Sequence, residues 1–245
     1  MELNYVSPLG TNRFINSNIV LSANSSHTIL PEWNNISNGT LTILEDIGNN
    51  GSIDDTINLR NYSELDLVLY AFIEGLYNNV TSRMTSDTIT ILLREKLFPF
   101  AITDSANAVL SIQGKGFFTF HNAQYSTPYY LVVKHKNAIE VWSDSTISLS
   151  ANITNSYSFV DSVSFAYGNN LIQVDSSPIR FVLFSGDVNQ DGAVDASDVS
   201  MIDNDAINFI SGYVSTDLTG DGFVDVTDFA IVDNNAASFV GVVRP

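Results

Sequence analysis

The sequence predicts a mainly β fold: an antiparallel β-sandwich followed by a small α-containing unit made of two loop–helix repeats. Three observations carry this expectation. Short runs of alternating apolar and polar residues, separated by turn formers, recur as far as Phe184, at the period of half-buried strands. No Lys or Arg lies between Arg180 and Arg244, although that stretch holds 11 of the 27 acidic residues, so composition breaks near Ser185–Gly186. Beyond the break the chain repeats itself at an offset of 30 residues. The expected domains are an N-terminal β or extended segment over 1–61, the sandwich over 62–184 and the repeat unit over 185–245.

Residues 1–61 are rich in Asn and Ser, with strand-like runs at Asn18–Ser22 and Thr40–Leu44. They read as the end of a preceding domain, as an extra sheet, or as a strand used in assembly. Next, Leu65–Ile73 places apolar residues at its odd positions and Val68, Tyr70 and Phe72 on the other face, the pattern of a strand covered on both sides. Further strands are expected at Thr88–Leu93, Ala108–Gln113, Gly116–His121, Tyr129–Lys134, Ile139–Trp142, Thr146–Leu149, Ser156–Val160 and Ile179–Phe184. Gln113–Gly116 and Lys136–Asn137 carry the residues of tight turns. Strands and turns at this spacing resemble immunoglobulin-like or transthyretin-like sandwiches.

The formal charge is −17, with 10 basic residues against 27 acidic ones. This argues against nucleic acid as a partner, since binding there begins with Lys and Arg neutralising phosphates. An anionic membrane surface is disfavoured on the same ground. There is no cysteine, which excludes a disulfide scaffold, a thiolate zinc site and a Cys nucleophile. Cations can brace an extracellular protein in place of disulfides, and the acid excess suits them. No run approaches the roughly 18–20 apolar residues that span a bilayer, so no membrane insertion is expected. Met1–Gly10 lack the basic and apolar regions of a secretory signal, so any such signal is expected to have been removed or to lie outside this sequence.

The repeat carries the chemistry. Asp187–Asp198 aligns with Asp217–Asp228, and the match continues through Asp203-Asn204 and Asp233-Asn234, Ala206 and Ala236, and Phe209 and Phe239. Ca²⁺ takes about six to eight oxygens, and a calcium loop supplies them from positions 1, 3, 5, 9 and 12 and from a carbonyl at position 7. Those positions hold Asp187, Asn189, Asp191, Asp195 and Asp198, with Ala193 at the carbonyl. The second loop offers Asp217, Thr219, Asp221, Asp225 and Asp228, with Phe223 at the carbonyl. Gly192 and Gly222 fill position 6, where the chain turns sharply. Val194 and Val224 at position 8 are expected to point inward and pair across the loops. Position 12 opens a helix, on which Val199, Ile202, Ala206 and Phe209, then Phe229, Val232, Ala236 and Phe239, form an apolar stripe. Carboxylates crowded this closely repel one another without an ion, so cation binding and folding are expected to be one event.

Two such loops, each with an exit helix only, resemble the type I dockerin repeat over residues 186–240. The stretches around Asp187–Gly192 and Asp217–Gly222 are also similar to dockerin-like tails of large secreted Bacteroidota-type surface proteins. The resemblance implies two bound Ca²⁺ and a cohesin-like protein partner. Dockerins meet cohesins through loop positions 10 and 11 and a basic exit helix. Here those positions are Ala196-Ser197 and Val226-Thr227, and neither helix carries a basic residue.

A partial third loop is present: Asp46, Asn50 and Asp54 stand at positions 1, 5 and 9, with Gly51 at position 6 and Ser52 at position 7, while positions 3 and 12 are Gly48 and Ile57. Its alternative is an Asx-rich turn. His27, His121 and His135 form no ligand or triad pattern, and Glu64, Glu74 and Glu140 are expected to be ordinary strand residues rather than a glycosidase pair. Tyr125, Tyr129, Tyr130, Trp142 and Tyr157 could stack on a glycan, but core packing is the expected role. No catalytic residue is assigned. The expectation is a secreted or cell-surface, non-enzymatic structural or adhesive module, folded in part by Ca²⁺, that binds other subunits. The alternative is a protein- or carbohydrate-binding module of a polysaccharide-degrading system, meeting a cohesin-like partner or a glycan.

Overall fold

A computed structural model of the chain describes six strands within residues 1–60, residues 64–151 and residues 153–245. The chain divides into two compact units, Met1–Ser63 and Glu64–Pro245. In the first, β1 (Leu3–Val6) pairs with β4 (Ser26–Ile29). A separate antiparallel sheet has the order β3-β2-β5-β6, from Val20–Leu21, Thr11–Phe14, Thr40–Asp46 and Asp55–Arg60. Of the partial third loop, Asp46 ends β5; Asn50, Gly51, Ser52 and Asp54 lie outside the described residues.

The second unit begins with β7 (Leu65–Tyr70) and a small hairpin, β8 (Tyr77–Asn78) and β9 (Arg83–Met84). There follow β10 (Asp87–Glu95), β11 (Ile102–Leu110), β12 (Lys115–Phe120), β13 (Pro128–His135), β14 (Ala138–Trp142), β15 (Ile147–Ser148) and β16 (Thr154–Ser158). The hairpin of β17 (Ile172–Ser176) and β18 (Ile179–Val182) closes the β region. One sheet runs β11-β10-β13-β14, with β15 on β13, and the other runs β12-β7-β16. All the ladders among these strands are antiparallel except that of β16, which lies parallel to β7.

Period-2 patterning accounts for the core. Leu65, Leu67 and Leu69 are fully buried between the sheets with Ile89, Ile91, Leu93, Leu131 and Val133, each such side chain contributing roughly 1.5–3 kcal/mol by leaving water. The expected second covered face of Leu65–Ile73 is present: Val68 and Phe72 are buried as well. On the far face of the larger sheet, Leu92, Val132 and Trp142 make a smaller cluster covered by Phe100, Tyr130, Tyr167 and Val242. The turn expected at Gln113–Gly116 falls at Ser111–Gly114, where Ser111 and Lys115 close it. Gly114 has φ +71°, and a Cβ there would meet the Ala71 carbonyl at 2.5 Å. The strand expected at Ala108–Gln113 is the end of the longer β11, whose first half is too rich in Ala, Ser, Asn and Asp to show a strand pattern.

The β region passes directly into the repeat unit. Leu183 bridges Ile73, and Ser185 bridges Ala138, so this segment is wedged between the two sheets. Helix α1 (Ala196–Ile207) and helix α2 (Val226–Ala237) follow the two loops. Val188, Val194, Ile202, Leu218, Val224, Val232 and Val240 join the same buried cluster as the sandwich leucines.

Candidate metal centre

The helices start at loop position 10, two residues before the point expected. Asp195 and Asp225 are their N-caps, and Asp198 and Asp228 complete capping boxes at the third helical residue. The two loops repeat each other bond for bond at these carboxylates. Asp198 Oδ1 accepts from the Val188 and Asn189 amides at 2.9 and 3.2 Å, and Oδ2 from the Asp195 amide at 3.0 Å. Asp228 Oδ1 accepts from the Leu218 and Thr219 amides at 2.8 and 2.9 Å, and Oδ2 from the Asp225 amide at 2.9 Å. At position 5, Asp191 and Asp221 each accept from the amide two residues on, at 3.0 and 2.9 Å. At position 1, Asp187 and Asp217 accept from the amides of Gly192 and Gly222, whose φ values of +95° and +89° suit the glycine turn. Asn189 accepts from the Asp191 amide at 2.8 Å, while Thr219 Oγ1 donates to Asp217 at 3.4 Å.

A pseudo-two-fold relation joins the halves. Val194 donates to the Val240 carbonyl and Val242 to the Gly192 carbonyl, so the segment after α2 pairs with loop 1. Val224 donates to the Ile210 carbonyl and Gly212 to the Gly222 carbonyl, so the segment after α1 pairs with loop 2. The expectation that Val194 and Val224 pair with one another is corrected here: both are buried, but each pairs with the chain leaving the opposite helix. None of these bonds uses the carbonyls of Ala193 and Phe223 at position 7.

The apolar stripe needs a second correction. Val199, Ile202 and Ala206 face inward, as do Phe229, Val232 and Ala236, but Phe209 and Phe239 are 88% and 92% exposed. Both lie beyond the helix, in the left-handed region at φ +56° and +54°, which takes them out of the helical phase.

The electrostatics suit a cation. Burial pushes the Asp187 carboxyl up to about 6, reinforced by the charges of Asp198 and Asp191. Burial also raises Asp228, against three backbone amides that favour its charged form. Asp195 and Asp225 are held below the usual range by hydrogen bonds from the hydroxyls and amides of Ser197 and Thr227. Asp187 Oδ1 is buried without any hydrogen-bond partner, and a carboxylate oxygen in that position calls for a positive charge. No three acidic or His side chains among the described residues converge closely enough to hold an ion as they stand. The donor set nevertheless fits a hard cation: it is all oxygen, anionic, and without a basic residue between Arg180 and Arg244 to neutralise it.

Residues of the sandwich that sequence reasoning had no means of assigning to this centre hold it in place. Glu74 Oε2 accepts from the Ser185 amide at 3.0 Å and from Asn235 Nδ2 at 2.6 Å, and burial raises its pKa. Asn137 donates to the Asp217 carbonyl at 3.0 Å. Asp87 accepts from His135, Lys136 and the Tyr213 hydroxyl, and Lys136 sits over the Tyr213 ring at 3.2 Å. Burial alone would raise Asp87, but these bonds outweigh it and hold the carboxyl well below its usual range. Arg244 pairs with the buried Glu140, which also accepts from Trp142. Glu64 lies at the surface beside His121, so the three Glu residues have separate partners. Tyr129 and Trp142 are buried, in keeping with packing rather than glycan stacking.

Between them, α1 and α2 leave a groove of about 330 Å³ lined by Asp203, Ala206, Ile207, Val226 and Phe229. Ile207, Val226 and Phe223 are exposed. No helix among the described residues is long and apolar enough to cross a membrane.

Among known families, the type I dockerin domain matches residues 185–237. No curated protein matches the chain. A solved chain of a type II cohesin–X–dockerin complex from Acetivibrio cellulolyticus is similar at a TM-score of 0.41 and 16% identity, over 71% of this chain and 99% of that one. Residues 185–237 thus form a type I dockerin-like domain, a non-catalytic protein-interaction module of a calcium-binding kind.

Proposed function

We propose that the chain is a non-enzymatic module of a secreted or cell-surface protein that attaches to a cohesin-like partner through its C-terminal unit once two Ca²⁺ are bound. The ligands would be Asp187, Asn189, Asp191, Ala193, Asp195 and Asp198 in one loop and Asp217, Thr219, Asp221, Phe223, Asp225 and Asp228 in the other. The observation that carries this reading is the bond-for-bond repetition of the position-12 carboxylates, Asp198 and Asp228, in the two acidic loops, beside an apolar groove. The ion would neutralise each loop and fix the helix that follows it, and so fix the groove between the helices. The sandwich would serve as a rigid structural or adhesive body carrying that surface.

The domains of this reading are 1–61, 62–184 and 185–245. A third ion would be held by Asp46, Asn50, Ser52 and Asp54. The test is capture of purified cohesins of several types by the intact chain, with Ca²⁺ and with EDTA. Calcium-dependent capture of at least one is expected. A blank panel together with calorimetry showing no Ca²⁺ uptake would end the proposal.

A further inference from the structure

We propose that Asn137, at the tip of the β13–β14 hairpin, is the positioning residue that couples the two calcium loops to each other and to the sandwich. This rests on the reading of both loops as Ca²⁺ sites. Asn137 is completely buried, and it contacts the entry to each loop with a different group. Its backbone carbonyl accepts from the Gly186 amide at 2.7 Å, immediately before position 1 of loop 1. Its side-chain Nδ2 donates to the carbonyl of Asp217, position 1 of loop 2, at 3.0 Å.

The second contact reaches further than one residue. The peptide unit that accepts from Asn137 through its oxygen donates through its nitrogen, since the Leu218 amide bonds Asp228 Oδ1 at 2.8 Å. One peptide therefore links the hairpin tip to the position-12 carboxylate, and each bond in such a chain polarises the next. Loop 1 has the equivalent peptide: the Asp187 carbonyl accepts from Gln190 Nε2 at 2.6 Å, and the Val188 amide donates to Asp198 Oδ1 at 2.9 Å. There the donor comes from within the loop, and its Nε2 also reaches the Ala138 carbonyl at 3.5 Å, again on the hairpin.

The amide orientation is fixed by chemistry. A reversed Asn137 would set its oxygen against the Asp217 carbonyl oxygen, two acceptors with no proton between them. In the orientation described, Asn137 Oδ1 is buried without a partner, so the side chain is held by the single bond to loop 2. A side chain buried at that cost, with its one polar bond on a ligand-bearing peptide, plays the part that outer-shell groups play around metal ligands.

The experiment uses the full chain and calorimetric Ca²⁺ titration. Asn137→Ala and Asn137→Leu are each measured alone and in combination with Asp187→Ala, which disables loop 1, and Asp217→Ala, which disables loop 2. In the parent chain, disabling one loop is expected to weaken the other. In both Asn137 variants the affinity of loop 2 should fall about 10-fold or more, the usual effect of losing an outer-shell partner. Loop 1 should change less, because its bond is to the backbone. Disabling one loop should then no longer alter the other. Asn137→Leu keeps the branch at Cγ, adds no charge and removes the donor, so it tests the bond even if the Ala variant does not fold. Parent-like affinities and coupling in Asn137→Leu would overturn the proposal while leaving the calcium loops in place. A parent chain that takes up no Ca²⁺ would overturn both.

Discussion

Loops 1 and 2 share every acid and both turn glycines but not their neighbours. Loop 2 lies against the sandwich: a Cβ on Gly75 would stand 2.3 Å from the Leu218 carbonyl oxygen, and one on Gly220 would stand 2.7 Å from Leu76. Loop 1 lies against the chain's own C-terminal segment, with Gly192 facing Val242. The carboxylates at position 1 differ accordingly. Asp217 accepts with both oxygens, from Gly220 at 2.7 Å and Gly222 at 2.9 Å, whereas Asp187 accepts with one and keeps the other buried and unpartnered. The repeat therefore specifies where the acidic side chains stand, and the surroundings set which of their oxygens find partners.

The largest effect expected is that of ion removal. A site occupied at 100 times its Kd stabilises the fold by about 2.7 kcal/mol, so two sites at that excess contribute about 5 kcal/mol. Scanning calorimetry with Ca²⁺ and with EDTA should show a large rise in unfolding temperature with Ca²⁺. Asp187→Ala and Asp217→Ala should each remove part of it, with the greater loss for Asp217→Ala, which also strands the amides of Gly220 and Gly222. Identical scans with and without Ca²⁺ would dissolve the comparison altogether.

The next effect is steric. Gln190 in loop 1 and Gly220 in loop 2 occupy the same left-handed turn, at φ +60° and +68°. A side chain is accommodated in loop 1, where it finds two carbonyls, and would collide with Leu76 in loop 2. Gly220→Gln should therefore cost about 1–3 kcal/mol in urea unfolding, as overpacking does. If Gly220→Gln leaves stability unchanged, the sandwich does not buttress loop 2 as described.

Much of this was legible in sequence, for identifiable reasons. The spacing of the acidic loops is a local code, read twice here, but the helix start expected at position 12 comes two residues earlier, after caps at Asp195 and Asp225. The covered strand at Leu65 was legible because period-2 patterning survives wherever the two faces bury different partners. What depends on distant neighbours was not. Asn137 is an ordinary turn residue until the fold brings Gly186 and Asp217 to it. The parallel pairing of β16 has no local mark, and Phe209 and Phe239 continue the helical stripe on paper because no glycine announces the left-handed turn that expels them.

The pH dependence separates the loops at smaller amplitude. Asp187 has a folded pKa of about 6, above its unfolded value, so the ion-free fold holds that proton more tightly than the unfolded chain does. Stability contributed this way is fully present below the unfolded carboxylate range and is lost as pH rises through about 6. In EDTA the parent chain should therefore unfold at lower urea at pH 7 than at pH 5, and Asp187→Asn should reduce the difference. Asp228, also raised by burial, contributes in the same sense and leaves a remainder in that variant. With Ca²⁺ present the dependence should reverse, since the ion needs the carboxylates deprotonated. An Asp187→Asn variant with an unaltered profile in EDTA would remove the distinction drawn at position 1.

The smallest effect on stability, and a sharp test of what lies outside both loops, concerns Phe209 and Phe239. Each is almost fully exposed and sits one residue past a helix cap, so neither contributes to the buried cluster. Phe209→Ser and Phe239→Ser should change unfolding free energy by no more than about 0.5 kcal/mol, as surface substitutions usually do. Were both phenylalanines part of the helical stripe, each would cost about 3 kcal/mol or more on truncation, as buried aromatics do. Urea titrations of the two variants with Ca²⁺ present distinguish these cases. An indifferent result leaves two large apolar rings on the repeat unit that the fold does not use, and cohesin capture by the same variants then reports whether a partner does.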